Sequence, residues 1–200
     1  MGAEIQREPI RFHTIGLDMS LSGTGFCKLT GPLITLETIK TKPREYASDL
    51  DRLMYITDKV LTMIPPETKL ICIEDFYVPA SRQQFGAAIN LVGLGTLMRI
   101  KLYESGLPFA VVAPSQLKKF VVGKGNANKN LVLREVFKRW SVDAKDDNQA
   151  DACTLAKLSL AIIEKLTSDK AFPKFQEEVI SKVINDRPKY NCDSLLQSGA

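Results

Sequence analysis

The hydrophobic residues of this chain fall first into short runs and later into helical stripes. Phe12 to Leu17 is an apolar run that stops at a Ser/Gly-rich stretch, Ser20-Leu21-Ser22-Gly23-Thr24-Gly25. This predicts a strand, a turn and a returning strand from Gly25 to Leu29. Pro32 to Ile39, with Ile34, Leu36 and Thr38 alternating, predicts a third strand, so the three form an antiparallel meander. Ser48 is a good N-cap for the stripe Leu50, Leu53, Met54, Ile56, Val60, Leu61 and Ile64, which Pro65-Pro66 ends. Leu70-Ile71-Cys72-Ile73 is continuous and short, the pattern of a strand buried on both faces.

The capping-box pattern at Ser81 and Gln84 predicts a long helix to about Glu104, rich in small residues at Gly86, Ala87, Ala88, Gly93 and Gly95. Phe109 to Val112 predicts another buried strand. Helical segments follow at Ser115–Phe120 and Lys129–Trp140. A charged loop from Asp143 to Asn148 then leads into a core helix ending near Leu166. Strands in this order, with helices between and after them, predict an α/β protein whose mixed five-stranded sheet carries helices on both faces. The expected organisation is a flexible arm at 1–10, one domain over 11–166, and a helical or flexible extension over 167–200 with an amphipathic helix at Phe175–Ile184.

Composition narrows the classes. A length of 200 residues with 44% hydrophobic and 25% charged positions suits one globular domain. No apolar run approaches the roughly 20 residues that span a bilayer, and the first residues lack a signal pattern. An intracellular, cytoplasmic protein is expected. Cys27, Cys72, Cys153 and Cys192 form no C-x-x-C pair, which argues against a structural zinc site. The net charge of +4 decides little, but its distribution does more. From Leu107 to Trp140 there are seven basic residues, Lys118, Lys119, Lys124, Lys129, Arg134, Lys138 and Arg139, against the single acid Glu135. A solvated helix face normally mixes signs.

Acidic residues stand where buried strands end. Asp18 closes Ile15-Gly16-Leu17-Asp18, and Glu74 closes Leu70-Ile71-Cys72-Ile73-Glu74. Asp147 and Asp151 are four apart, a spacing that points both side chains to one side of a helix. Carboxylates gathered together repel unless a cation neutralises them, and hard oxygen donors suit Mg²⁺ or Mn²⁺. Two such ions can support phosphodiester hydrolysis. Each acid also has an ordinary reading: Asp18 as a turn cap, Glu74 as a strand-exit acid, Asp147 as an N-cap and Asp151 as compensation of the helix dipole. Asp75, Asp143 and Asp146 are read as solvated neighbours.

These segments resemble the RuvC-type Holliday-junction resolvases. Ile15-Gly16-Leu17-Asp18-Met19-Ser20 with Thr24-Gly25 is similar to the family's first-strand motif. Ile73-Glu74 followed by Phe76-Tyr77 resembles its second carboxylate motif. Pro114-Ser115-Gln116-Leu117-Lys118 through Val121-Val122-Gly123-Lys124-Gly125 and Lys129 resembles its basic segment. Asp147-Asn148-Gln149-Ala150-Asp151-Ala152 with Leu155-Ala156 resembles its acidic helix. The motifs occur in the family's order across Ile15 to Leu160.

The resemblance implies a ribonuclease-H-like fold and a homodimer that makes symmetric nicks in branched DNA, above all four-way junctions. It also implies two Mg²⁺ ions, replaceable by Mn²⁺, on the catalytic ligands Asp18, Glu74, Asp147 and Asp151. Lys118 and Lys129 match basic positions that approach DNA, and Lys119 and Lys124 join them in the same segment. Tyr77 falls where the family carries a base-stacking aromatic, and Phe76 beside it is the alternative. The four-residue spacing of the last two acids, against three in most bacterial members, resembles the phage-encoded branch. The cell would then be bacterial or phage-infected.

His13, Trp140, Met54, Met63 and Met98 read as structural. The rival readings are an actin- or sugar-kinase-like ATP-binding protein, a related nuclease for flaps or RNA–DNA hybrids, and a binding module that holds branched DNA uncut. The chain shows no second phosphate-binding hairpin for the first. Four carboxylates near phosphates would hinder the last.

Overall fold

In the computed structural model, which describes residues 12–76, 85–168 and 170–186, the first three strands form the expected meander. Strand β1 (His13–Asp18) pairs antiparallel with β2 (Gly23–Thr30), and β2 pairs antiparallel with β3 (Leu33–Lys40). A 3₁₀ turn at Pro43–Glu45, absent from the hydrophobic pattern, leads to α1 (Asp49–Met63). The Ser48 hydroxyl accepts the Asp51 amide at 3.1 Å, the cap its sequence position predicts.

Strand β4 (Thr68–Glu74) then runs parallel to β1, and β5 (Phe109–Val112) runs parallel to β4. Between them lies α2 (Phe85–Glu104), and after them come α3 (Pro114–Val122), α4 (Lys129–Trp140), α5 (Asp147–Ser168) and α6 (Lys174–Asn185). The arm at 1–10, Tyr77 and the Ser81/Gln84 capping box lie outside the described residues. Among those described, no helix is long and apolar enough to cross a membrane.

The sheet order is β3-β2-β1-β4-β5, so β1 and β4 are interior and buried on both sides. This accounts for the unbroken run Leu70-Ile71-Cys72-Ile73, in which every side chain is fully buried. Ile15, Leu17, Ile71 and Ile73 face α1 and α2, meeting Leu53, Ile56, Leu94 and Met98. Leu70, Cys72, Ala110 and Val112 face the opposite layer, meeting Leu117, Phe120, Leu158 and Ile162. Each fully buried aliphatic side chain contributes about 1.5–3 kcal/mol of transfer free energy.

Helix α5 comes unusually close to the sheet. A Cβ on Gly16 would collide with the Ala152 carbonyl and the Ala156 amide, and one on Gly25 would collide with the Asn148 carbonyl. Two backbones can approach this far only where neither strand position carries a side chain. Helix α6, within the extension over 167–200, belongs to the same core, with Val179, Ile180 and Val183 buried against the α3 and α5 layer.

Candidate active site at the carboxyl ends of the central strands

Parallel pairing puts Leu17 beside Ile73, so the next residues, Asp18 and Glu74, leave the sheet together at its carboxyl edge. In open α/β sheets this crevice is where ligands bind. The contacts at Gly16 and Gly25 bring the first turns of α5 over the same edge. Asp147 and Asp151, one turn apart, thereby point into the space above Asp18. The four carboxylates share a cleft of about 290 Å³ with Lys118 of α3 and Lys129 of α4.

The electrostatics of the cleft are strained. Asp18 is only 8% exposed, and burial raises its pKa well above the carboxylate range, helped by the charge of Glu74, by a hydrogen bond to Glu74 and by Asp147. Glu74 is pushed up to about 7, first by burial and then by the charge of Asp151. Asp151 is likewise pushed up to about 7 by burial, Asp18 and Asp147. Asp18 and Glu74 titrate as one unit in which Asp18 keeps the proton and Glu74 accepts its hydrogen bond. Asp147 moves the other way because the Lys129 ammonium is hydrogen-bonded to its carboxylate.

The start of α5 is fixed by residues that the sequence reading set aside. Asp146, read there as a solvated neighbour, is the N-cap: its Oδ1 accepts the Gln149 amide at 2.8 Å. The Thr38 hydroxyl of β3 donates to Asp146 Oδ2 at 3.1 Å and accepts from Gln149 Nε2 at 3.1 Å. This ties the acidic helix to the edge strand. The signal was present as Asp-x-x-Gln, a cap pattern one residue before Asp147.

The other sequence candidates lie elsewhere. Lys119 points away from the cleft and pairs with Glu178 of α6 at 2.6 Å. Lys124 is exposed on the turn after α3, outside the cleft lining. Phe76 is half-buried against α2: a Cβ on Gly95 would stand 2.7 Å from its ring, and the Arg99 guanidinium covers it at 4.6 Å. Arg99 also donates to Asp75 Oδ1 at 2.7 Å, and that oxygen accepts the Phe76 amide at 3.0 Å. Phe76 is thus held in place beside Glu74, with one ring face covered by Arg99, and it lines a small hollow with Met19, Glu74 and Pro114. Arg99 and Asp75 carried no motif, because their roles depend on contact across 24 residues.

Among the described residues, no three His, Cys, Asp or Glu side chains stand close enough together to hold one ion in this arrangement. Lys129 is hydrogen-bonded to Asp147, and Asp18 is hydrogen-bonded to Glu74. The donor chemistry nevertheless fits a hard divalent cation. All four donors are carboxylates, and burial raises the proton affinity of three of them, which a bound cation would lower again.

Comparison with known proteins agrees with this architecture. The family model described as "Crossover junction endodeoxyribonuclease RuvC" matches residues 15–161. No curated protein matches the chain by sequence. A Thermus thermophilus RuvC structure matches with TM-score 0.55 at 19% identity, over 72% of this chain and 90% of that one. T. thermophilus RuvC in complex with Holliday junction substrate matches with TM-score 0.57 at 21% identity, over the same shares, 72% and 90%. At these identities the likeness shows the fold, which is the expected ribonuclease-H-like mixed sheet. With most of its length matched by the family model, from the first strand into α5, the chain belongs to the RuvC family of crossover junction endodeoxyribonucleases.

Proposed function

We propose that the protein resolves four-way DNA junctions by cation-dependent phosphodiester hydrolysis, and that its catalytic residues are Asp18, Glu74, Asp147 and Asp151. The observation that carries this reading is the meeting of four carboxylates and two lysines at the carboxyl edge of β1 and β4. The similar T. thermophilus protein is described in complex with a Holliday junction, and the substrate class is carried over from it. The same four acids would hold Mg²⁺ or Mn²⁺, two ions per site. Bound there, the metal supplies an activated water and charge neutralisation at the phosphoryl oxygens.

The chain's own groups do the rest. Lys118 and Lys129 attract the phosphate and set its position without reading sequence. Burial of Asp18 lowers its contact with bulk water and strengthens its charge interactions in the cleft. The Thr38–Asp146–Gln149 bonds hold Asp147 and Asp151 in register with Asp18. The nuclease domain spans 11–166, the extension over 167–200 adds α6 to its core, and Tyr77 remains the candidate for stacking on an opened base.

Symmetric nicking requires two sites, and α2 offers a face for a second copy. Ile89, Ile100 and Tyr103 are 55%, 48% and 56% exposed. With Thr96 they follow one another at i, i+7, i+11 and i+14 along one side of the helix. Beside them a hollow of about 480 Å³ is lined by Thr96, Arg99, Ile100 and Phe109. A dimer across this face places the protein at the centre of a two-fold junction, at work in the cytoplasm of a bacterial or phage-infected cell.

The test is incubation with Mg²⁺ of labelled four-way junction, linear duplex, flap and RNA–DNA hybrid of equal length. Paired symmetric nicks in the junction, lost with EDTA, are expected. Preferential cutting of flap or hybrid would contradict the assignment of substrate.

A further inference from the structure

Helix α4 begins at the cleft, with Lys129 on Asp147. Its inward side is Val132 and Val136, both buried. Its outward side is Asn130, Arg134, Phe137, Lys138 and Ser141, all exposed. Phe137 is 59% exposed, among the most exposed large hydrophobic side chains described. A lone surface phenylalanine needs no explanation, but this one stands between two cations on the same side of the helix.

Some surface cations pair with acids, as in Lys101–Asp58, Lys119–Glu178, Lys165–Glu177 and Arg99–Asp75, but those on this side of α4 do not, among the described residues. The one acid of α4, Glu135, points to another side of the helix and pairs with Arg139 at 3.4 Å. Arg139 in turn covers the Phe175 ring of α6. Among the described residues Arg134 and Lys138 have no acidic partner. One helical turn, about 6 Å, separates them, a spacing comparable with that of neighbouring phosphates along a strand.

We infer that the outer face of α4, formed by Arg134, Phe137 and Lys138, is a track for the DNA strand that leaves the cleft, with Arg134 and Lys138 on successive phosphates and an unpaired base stacked on Phe137. Cations beside an aromatic platform are the usual means of holding single-stranded DNA without reading its sequence. The track lies on the same helix whose first residue, Lys129, meets the candidate active site, and it rests on the function proposed above. It gives a role to Arg134 and Lys138, two cations of the basic stretch from Leu107 to Trp140 that the cleft does not use.

The test is equilibrium binding of a labelled four-way junction to the full chain, with Ca²⁺ replacing Mg²⁺, over a series of salt concentrations. Three variants are compared with wild type: Arg134→Ala with Lys138→Ala, Phe137→Ala alone, and Lys59→Ala with Lys69→Ala. The last pair removes the same charge from exposed positions on α1 and β4. All substituted side chains are exposed, so unchanged melting temperatures are expected.

Loss of Arg134 and Lys138 is expected to raise Kd about tenfold and to lower the slope of log K against log salt by about two, roughly one per phosphate contact. Phe137→Ala is expected to abolish the quenching of 2-aminopurine placed in the strand beside the cut, and the Lys59/Lys69 pair to leave both readouts unchanged. An unchanged slope in the Arg134/Lys138 pair, or an equal drop in the Lys59/Lys69 pair, overturns the track. A 2-aminopurine signal indifferent to Phe137 overturns the stacking role. Failure of the underlying reading looks different: wild type then binds junction no tighter than linear duplex. The slopes, measured on that duplex, still decide the α4 face.

Discussion

The sheet has a hollow at each end, and the larger one is at the end without the acids. Around His13, Glu67 and Pro108, where β1 and β4 begin, a cavity of about 550 Å³ is lined mainly by chain turns and apolar side chains such as Leu61, Ile64 and Leu107. At the carboxyl end the cleft is about 290 Å³, yet it gathers four carboxylates and two lysines. The acids at that end are buried and their proton affinities raised, whereas Glu67 at the other end is exposed and shifted downward. Space alone does not make a site. What distinguishes the smaller hollow is charge that the fold confines at a cost in stability, the mark of a group kept for chemistry.

The sharpest way to break this comparison is to remove charge at each end in turn. Asp18→Asn or Glu74→Gln should lower junction cleavage by roughly a thousandfold, while gel-shift binding in Ca²⁺ persists. Glu67→Gln at the opposite end should leave the cleavage rate unchanged. Near-normal cleavage by both Asp18→Asn and Glu74→Gln would remove the carboxyl end from the chemistry.

The next effect is steric. Gly16→Ala forces β1 away from α5 and should destabilise the fold by about 3 kcal/mol, read as a fall in melting temperature of roughly 10 °C. An unchanged melting temperature would mean that α5 does not depend on this approach.

The two ends also answer pH in opposite senses. Folded Glu74 and Asp151 hold protons up to about 7 that an unfolded chain releases near an ordinary carboxylate value of about 4. Their contribution to stability is therefore full below that lower value and is lost as pH rises through about 7. Glu67 is lowered by its own backbone hydrogen bond and then by His13, so its small contribution is present above the usual carboxylate range and lost as pH falls. Without divalent ions, the melting temperature should drop by several degrees between pH 5 and pH 8. Added Mg²⁺ should recover most of that drop by binding the folded state. A flat profile would contradict the raised affinities.

The smallest expected effect is in the brace of α5. Thr38→Val removes two side-chain hydrogen bonds and should cost about 1–2 kcal/mol. Cleavage should fall about tenfold, through misplacement of Asp147 and Asp151, with junction binding kept. Equal losses in binding and cleavage would make Thr38 merely structural.

Much of this was legible in the chain, for identifiable reasons. Alternation in Ile34, Leu36 and Thr38 and the unbroken Leu70–Ile73 run report burial on one face or two, and burial is what sheet order imposes. The acids were visible because an Asp or Glu interrupts an apolar strand only where the strand leaves the core. The 3₁₀ turn at Pro43–Glu45 left no periodic signal. Asp146 was misread because a capping acid and a solvated acid look alike unless Gln149 three residues on is weighed, and its bond to Thr38, 108 residues away, left no local signal. The contacts of Lys119 with Glu178 and of Phe76 with Gly95 and Arg99 left no sequence signal, because each joins residues far apart in the chain.

The most direct test of the account is single-turnover cleavage of a saturated four-way junction by wild type and Asp151→Asn in Mg²⁺, with binding measured in parallel. The account predicts paired nicks from wild type, and from the variant a bound but essentially uncut junction. Cleavage by Asp151→Asn at the wild-type rate would contradict the claim that the four-carboxylate cleft performs the reaction.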